Sequence, residues 1–246
     1  MKIIEIFSSI QGEGALVGAR QLFVRLTGCN LRCDYCDTKE AFDTPQNATI
    51  EDIDGSGEIK LVPSEISPEA LAEEIVLLFN LAPHHSVVIT GGEPLCQAEE
   101  LDELLGILRK EEVKTVLETN ATLVEELDSL KNFPDYISAD IKLVTVARLE
   151  NNFLEEHLEF ISIAHKKLKR DDNLSVKIIF GKASEDELEM VCERLPNYIN
   201  SVFLQPVTMQ DVIFTPYDLL TMHNIASKYI DDVRIIPQIH KLMAIK

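Results

Sequence analysis

Three cysteines fall within eight residues, in Gly28-Cys29-Asn30-Leu31-Arg32-Cys33-Asp34-Tyr35-Cys36-Asp37-Thr38. Their spacing, C-x3-C-x2-C, puts three thiolates on one tight loop, which suits three irons of a four-iron cube. The fourth iron then lacks a protein ligand, and a substrate or cofactor can chelate it. The same logic separates catalytic from structural zinc sites. A zinc site of three cysteines and one histidine is the alternative, with His84, His85 or His240 as the fourth ligand. Zinc ligands usually come as two separated pairs, so the loop favours the cluster. Five cysteines in a chain of 246 residues do not suit a secreted disulfide framework. Cys192 sits on the apolar stripe of an expected helix and reads as a core thiol. Cys96 reads as a packing residue close to the cofactor site. His84 and His85 precede an apolar run and are expected to be exposed.

Further polar groups gather where apolar runs end. Thr90-Gly91-Gly92-Glu93-Pro94 follows one of them. Paired glycines let a backbone approach a ligand closely, and Glu93 can accept a hydrogen bond from an ammonium. An ordinary strand-to-helix turn would read the same way. Glu118-Thr119-Asn120 closes a second run, Ser138, Asp140 and Lys142 a third, and Gln205-Pro206 a fourth. Each could be a simple helix cap. Their shared position at strand ends, where barrel active sites collect, favours one common site.

These groups need a frame. Short apolar runs predict strands over Ile3–Phe7, Gln21–Thr27, Ser86–Thr90, Thr115–Glu118, Tyr136–Ala139, Ser175–Phe180, Ser201–Gln205 and Val233–Ile236. Between them lie amphipathic helices. Ser67 caps one, with Pro68 at its first position and apolar residues at 71, 75, 78 and 79. A second carries Leu101, Leu104, Leu105 and Leu108. A third carries Leu188, Val191, Cys192 and Leu195. Others are expected over Thr122–Leu130, Ala147–Leu168 and Tyr217–Lys228. Strands alternating with helices imply a mainly parallel sheet. About six such units follow the cysteine loop's strand, fewer than the eight of a closed barrel. The expectation is an open, partial (β/α)6 barrel in one domain spanning 1–246, with a doubly wound sheet as the alternative. Residues 43–66 are polar and rich in turn formers, and read as an inserted loop or small hairpin that is functional or mobile.

The formal charge of −19 repels nucleic acid phosphate, so general nucleic-acid binding is not expected. No apolar run reaches the roughly 18 residues of a membrane span. The first residues lack the layout of a signal peptide. The expectation is a soluble cytoplasmic protein.

The cysteine loop at the end of a first strand resembles the radical S-adenosylmethionine superfamily. That resemblance implies that the methionyl group of S-adenosylmethionine chelates the open iron, and that one electron releases a 5′-deoxyadenosyl radical. By the same resemblance Tyr35, Cys36, Asp37, Gly91, Gly92, Glu93, Glu118, Asn120, Ser138, Asp140, Lys142 and Gln205 contact the cofactor. The run from Ser9-Ile10-Gln11-Gly12-Glu13-Gly14 through Phe23-Val24-Arg25-Leu26 to Thr38 is similar to the 7-carboxy-7-deazaguanine synthase family. So is the tail Arg234-Ile235-Ile236-Pro237-Gln238-Ile239-His240-Lys241. That family makes 7-carboxy-7-deazaguanine and ammonia from 6-carboxy-5,6,7,8-tetrahydropterin, a radical ring contraction on the route to deazapurine-modified tRNA bases such as queuosine. The likeness assigns Ile10, Gln11, Gly12, Glu13, Arg25, Thr90 and His240 to the pterin, with Arg25 on its carboxylate. It assigns Thr38 to a magnesium ion. It also implies a homodimer and a flavodoxin or ferredoxin electron donor with its reductase. The chain departs from the family after Lys142, where Leu-Val replaces Pro-Ser, and in its final residues HKLMAIK. A glycyl-radical activating enzyme shares the cysteine motif, but has no need of the N-terminal and tail motifs. A zinc-binding interaction module is the non-enzymatic alternative.

Overall fold

Val87, Val88 and Ile89 are completely buried on both faces of their strand, and this double burial explains the unbroken apolar runs of the sequence. The computed structural model describes residues 1–53, 58–209 and 212–246. Its strands are β1 (Ile3–Ile10), β2 (Arg20–Leu26), β3 (Asn47–Glu51), β4 (Ile59–Pro63), β5 (Val87–Gly91), β6 (Thr115–Thr119), β7 (Tyr136–Lys142), β8 (Leu174–Phe180), β9 (Ser201–Pro206) and β10 (Asp232–Ile235). Its helices are α1 (Pro68–Asn80), α2 (Ala98–Lys110), α3 (Val124–Ser129), α4 (Val144–Ala147), α5 (Leu154–Lys167), α6 (Glu185–Arg194), α7 (Pro216–Ala226) and α8 (Ile239–Met243).

The strands form one sheet in the order β10-β9-β8-β7-β6-β5-β2-β1-β3-β4. From β2 to β10 every neighbouring pair is parallel. Among the described residues the two ends of the sheet do not meet, so the barrel is open and partial. β2 is its first parallel strand, and the cysteine loop follows it directly. β1 runs antiparallel to β2 and parallel to β3.

Residues 47–51 and 59–63 of the turn-rich segment pair antiparallel as a hairpin, from Asn47 opposite Pro63 to Glu51 opposite Ile59. It lengthens the sheet beyond β1. Residues 54–57 lie outside the described residues.

Local signals set the helix starts. The Ser67 hydroxyl accepts a hydrogen bond from the Ala70 N–H at 3.3 Å, capping α1 ahead of Pro68. Leu101, Leu104, Leu105 and Leu108 form the buried stripe of α2. The helix expected over 147–168 begins later, as α5 at Leu154, and the short α4 precedes it. α4 ends at Arg148, whose φ of 52° is left-handed. The Asn152 side chain then accepts from Leu154 N–H at 2.9 Å and starts α5. Among the described residues no helix is long and apolar enough to cross a membrane.

Candidate active site

The C-terminal ends of the parallel strands, the cysteine loop and the tail around α8 enclose a cavity of about 420 Å³. The loop leaves β2 through Gly28, whose φ of 87° takes the left-handed conformation glycine permits. Cys36 N–H donates to Cys33 O at 3.1 Å, and Arg32 Nη1 to Cys29 O at 2.7 Å, which tightens the loop. The paired glycines bring the end of β5 against it. A Cβ on Gly92 would lie 2.0 Å from Gly28 O, and one on Gly91 2.2 Å from Leu26 O. Glu93 N–H then donates to Gly28 O at 2.7 Å.

Cys29, Cys33 and Cys36 all line the cavity, beside Tyr35, Asp37 and Thr38. Burial raises the Cys29 and Cys33 thiols, and repulsion from neighbouring thiolates adds to the rise. Among the described residues no three His, Cys, Asp or Glu side chains are gathered closely enough to hold a metal ion. The cysteines therefore share a loop and a wall rather than a finished ligand cage. Their chemistry still fits an iron–sulfur cluster: three soft donors from one loop, with no fourth thiol in the lining. Cys96 is exposed and stands behind Gly28, outside the lining. Two polar atoms of the cavity wall, Tyr35 Oη and Gln205 Oε1, are buried without a protein hydrogen-bond partner. Such orphans suit a polar ligand.

The zinc alternative loses two of its candidate ligands. His84 and His85 precede β5, so they lie at the opposite end of the sheet from the cysteine loop. His84 is also buried, contrary to expectation. It is packed on the Phe79 ring and bonded to Ser8 Oγ at 2.9 Å and Phe79 O at 3.0 Å.

The turn after β1 also reaches the cavity. Ile10, Gln11, Gly12 and Glu13 line it, together with His240 from α8. Gly12 has room only for hydrogen, since a Cβ there would lie 2.3 Å from His240 Nδ1. Gln11 Nε2 donates to Glu118 Oε1 at 2.9 Å, and Gln11 Oε1 accepts from Glu13 N–H at 3.0 Å. Burial raises the Glu118 carboxyl. At the far rim Arg25 Nε donates to Glu5 Oε1 at 2.7 Å, and Arg25 Nη1 to Thr38 Oγ1 at 3.3 Å. Thr90 and Gln205 complete the wall from the ends of β5 and β9.

A row of alternating charges runs from the turn after β1 through β8 to the end of β7. Glu13 Oε2 accepts from Lys177 Nζ, which lies 3.1 Å from Asp140 Oδ1. Asp140 Oδ2 accepts from Lys142 Nζ at 3.0 Å. Burial opposes charge on all four. The lysines nevertheless hold Glu13 and Asp140 below their ordinary range, and the carboxylates raise both lysines. At the tail, Gln238 Nε2 donates to Glu13 Oε1 at 2.7 Å and to Asp37 Oδ2 at 3.0 Å. Burial would raise Asp37, but Gln238, Lys241 and Thr38 hold it at about 2.

Two expected site residues lie outside the cavity lining. Glu93 is fully buried beneath it, accepting from Thr119 Oγ1 at 2.9 Å, Asn120 N–H at 2.7 Å and Leu95 N–H at 3.1 Å. Burial pushes its carboxyl up to about 7 against those bonds. Glu93 thus braces Asn120, which does line the cavity. Ser138 points beneath Gly14, its Oγ 3.8 Å from where a Cβ would stand. Conversely, the lining includes Glu5, Lys177 and Lys246, and also Gln238 and Lys241 of the tail motif, none of which the sequence assigned to the site. Glu5 and Lys177 carried a signal, each a charge inside an apolar strand.

An open parallel sheet with three thiols on the loop after its first parallel strand defines a radical S-adenosylmethionine protein. The sequence model described as the Radical SAM superfamily matches residues 23–195. Membership implies a four-iron cluster and S-adenosylmethionine. The 7-carboxy-7-deazaguanine synthase of Geobacter sulfurreducens is 35% identical, over 97% of this chain and 95% of that one. That of Methanopyrus kandleri is 32% identical, over 99% and 93%. The crystal structure of QueE from Escherichia coli shares the fold, with a TM-score of 0.61 and 23% identity over 96% of this chain and 93% of that one. The chain belongs to the 7-carboxy-7-deazaguanine synthase family.

Proposed function

We propose that this lyase converts 6-carboxy-5,6,7,8-tetrahydropterin to 7-carboxy-7-deazaguanine with loss of ammonia, in deazapurine synthesis of the queuosine type. One observation carries the reading: a single cavity is lined both by the cysteine loop and by Gln11, Glu13 and His240. When bound, the cluster and S-adenosylmethionine would supply the radical chemistry that the reaction needs.

The chain's own residues hold and orient the reactants. Cys29, Cys33 and Cys36 hold the cluster. Gly91 and Gly92 would present their backbone to the methionyl end, and Asp140, Lys142 and Asn120 would supply polar contacts around the cofactor. Tyr35 and Gln205 offer it their orphaned polar atoms. The planar Arg25 fork takes the pterin carboxylate. Glu13 would accept from the pterin's N–H groups, Gln11 and His240 would fix its edge, and Glu118 would hold Gln11 from the cofactor side. Thr38 would offer its hydroxyl to a magnesium ion, which would supply positive charge for the substrate carboxylate beside Arg25. That two-way grip would place the carboxylate-bearing carbon next to the cluster wall.

A flavodoxin or ferredoxin with its reductase would deliver the electron in the cytoplasm. Two copies of the chain would pair, a reading supported by the exposed edge strand β4 with Ile59 and Leu61 outward. Sedimentation of the reconstituted protein tests the pairing.

The decisive test incubates reconstituted enzyme with carboxytetrahydropterin, S-adenosylmethionine, reductant and magnesium, without air. Carboxydeazaguanine and 5′-deoxyadenosine are expected together. No carboxydeazaguanine from fully reconstituted enzyme would overturn the proposal, and equal turnover without magnesium would remove Thr38's role.

A further inference from the structure

The charge row contains a residue that none of the motifs accounts for. Lys177 stands inside the apolar strand β8 and is 6% exposed. An ammonium is buried so deeply only when its partners are fixed around it. Three carboxylates face Lys177: Glu13 from the turn after β1, Asp140 from β7 and Glu118 from β6. Lys142 on β7, Tyr35 on the cysteine loop and His240 on α8 face it as well. Of these, Glu13 is bonded directly to the Lys177 ammonium and also accepts from Gln238 at 2.7 Å.

We infer that Lys177 is the positioning residue that keeps the Glu13 carboxylate ionised and aimed into the pterin end of the cavity. An ionised carboxylate has about four acceptor sites, so two protein donors leave capacity for a pair of ligand N–H groups. A protonated Glu13 would present a hydroxyl donor there and would repel them. Without Lys177, burial and the nearby Asp140 and Glu118 charges all favour that protonated form. Lys142 cannot substitute, because its ammonium is already bonded to the far oxygen of Asp140. The inference rests on the pterin reading of the site.

Equilibrium binding of carboxytetrahydropterin to reconstituted enzyme, with S-adenosylmethionine present and across a pH series, tests it. Lys177→Met should weaken binding by about tenfold near neutral pH, with the deficit growing as pH falls, while the parent enzyme stays flat. Lys177→Arg should recover much of the loss. In a Glu13→Gln background, Lys177→Met should cost nothing further, because the two substitutions remove one interaction. Iron content and circular dichroism verify folding, and Lys177→Gln carries the same expectation if the Met variant does not fold. Unchanged binding in Lys177→Met, or an equal penalty in both backgrounds, would overturn the positioning role. Failure of the parent enzyme to bind the pterin would overturn the reading of the site, and the inference with it.

Discussion

His157 Nε2 accepts a hydrogen bond from the backbone N–H of Lys142 at 3.2 Å. The other ring nitrogen must then carry the proton, and Nδ1 donates to Ala121 O at 3.1 Å. One neutral imidazole on α5 thus ties the end of β7 to the residues just after β6, behind the cavity wall. Burial holds His157 down to about 4.

That neutral ring makes stability depend on pH. An unfolded histidine takes up a proton near 6.5, whereas the folded one resists until about 4. Stability from this group is complete above that upper value and is lost as pH falls through the window. The loss should approach about 3 kcal/mol. Urea unfolding between those pH values should show the slope in the parent protein and a flatter one in His157→Gln. Equal slopes would remove His157 as the cause.

Gly92→Ala should loosen the cysteine loop. Its new Cβ would meet the Gly28 carbonyl, a backbone atom that cannot step aside. A destabilisation of about 1–3 kcal/mol is expected, with less iron retained per chain. Gly18→Ala is the control. It is strained by its φ of 87° but meets nothing within 4 Å, so it should lose stability without losing iron. Iron analysis after anaerobic reconstitution distinguishes the two.

Gly12→Ala should displace His240, because the added methyl would collide with both its ring and its backbone nitrogen, at 2.3 and 2.7 Å. The tail would lift from the turn after β1. KM for the pterin should rise by about tenfold or more, and proteolysis of the tail should quicken. An unchanged KM would separate His240 from substrate binding.

Arg25→Lys should be costly although charge is kept. Lysine cannot present two parallel donors to a carboxylate while also reaching Glu5. KM should rise by about tenfold with a smaller change in kcat. A pterin lacking the carboxylate should bind the two enzymes equally. If it discriminates between them as the carboxylated pterin does, Arg25 serves the fold instead.

Much of the frame was legible in the residues themselves. The C-x3-C-x2-C spacing, the doubly buried strands and the Ser67-Pro68 cap are properties of neighbours in sequence, where bonding and periodicity fix the outcome. So the cysteine loop, the parallel strands and most helix starts formed where their residues predict. The break between α4 and α5 was less visible, because Arg148 gives no sign of its left-handed φ.

What the tertiary structure decided depends on groups far apart along the chain. Lys177 meets Glu13 across 164 positions, and Gln238 meets it across 225. Strand register and the return of the tail set those meetings, and no local pattern encodes them. The same packing turned Glu93 beneath the cavity, buried His84 and set the strands 47–51 and 59–63 beside β1. The sequence by itself thus determined the three thiols and the frame that carries them. Only the tertiary structure decided which charges face one another across the cavity, since burial makes an ion pair depend on everything packed around it.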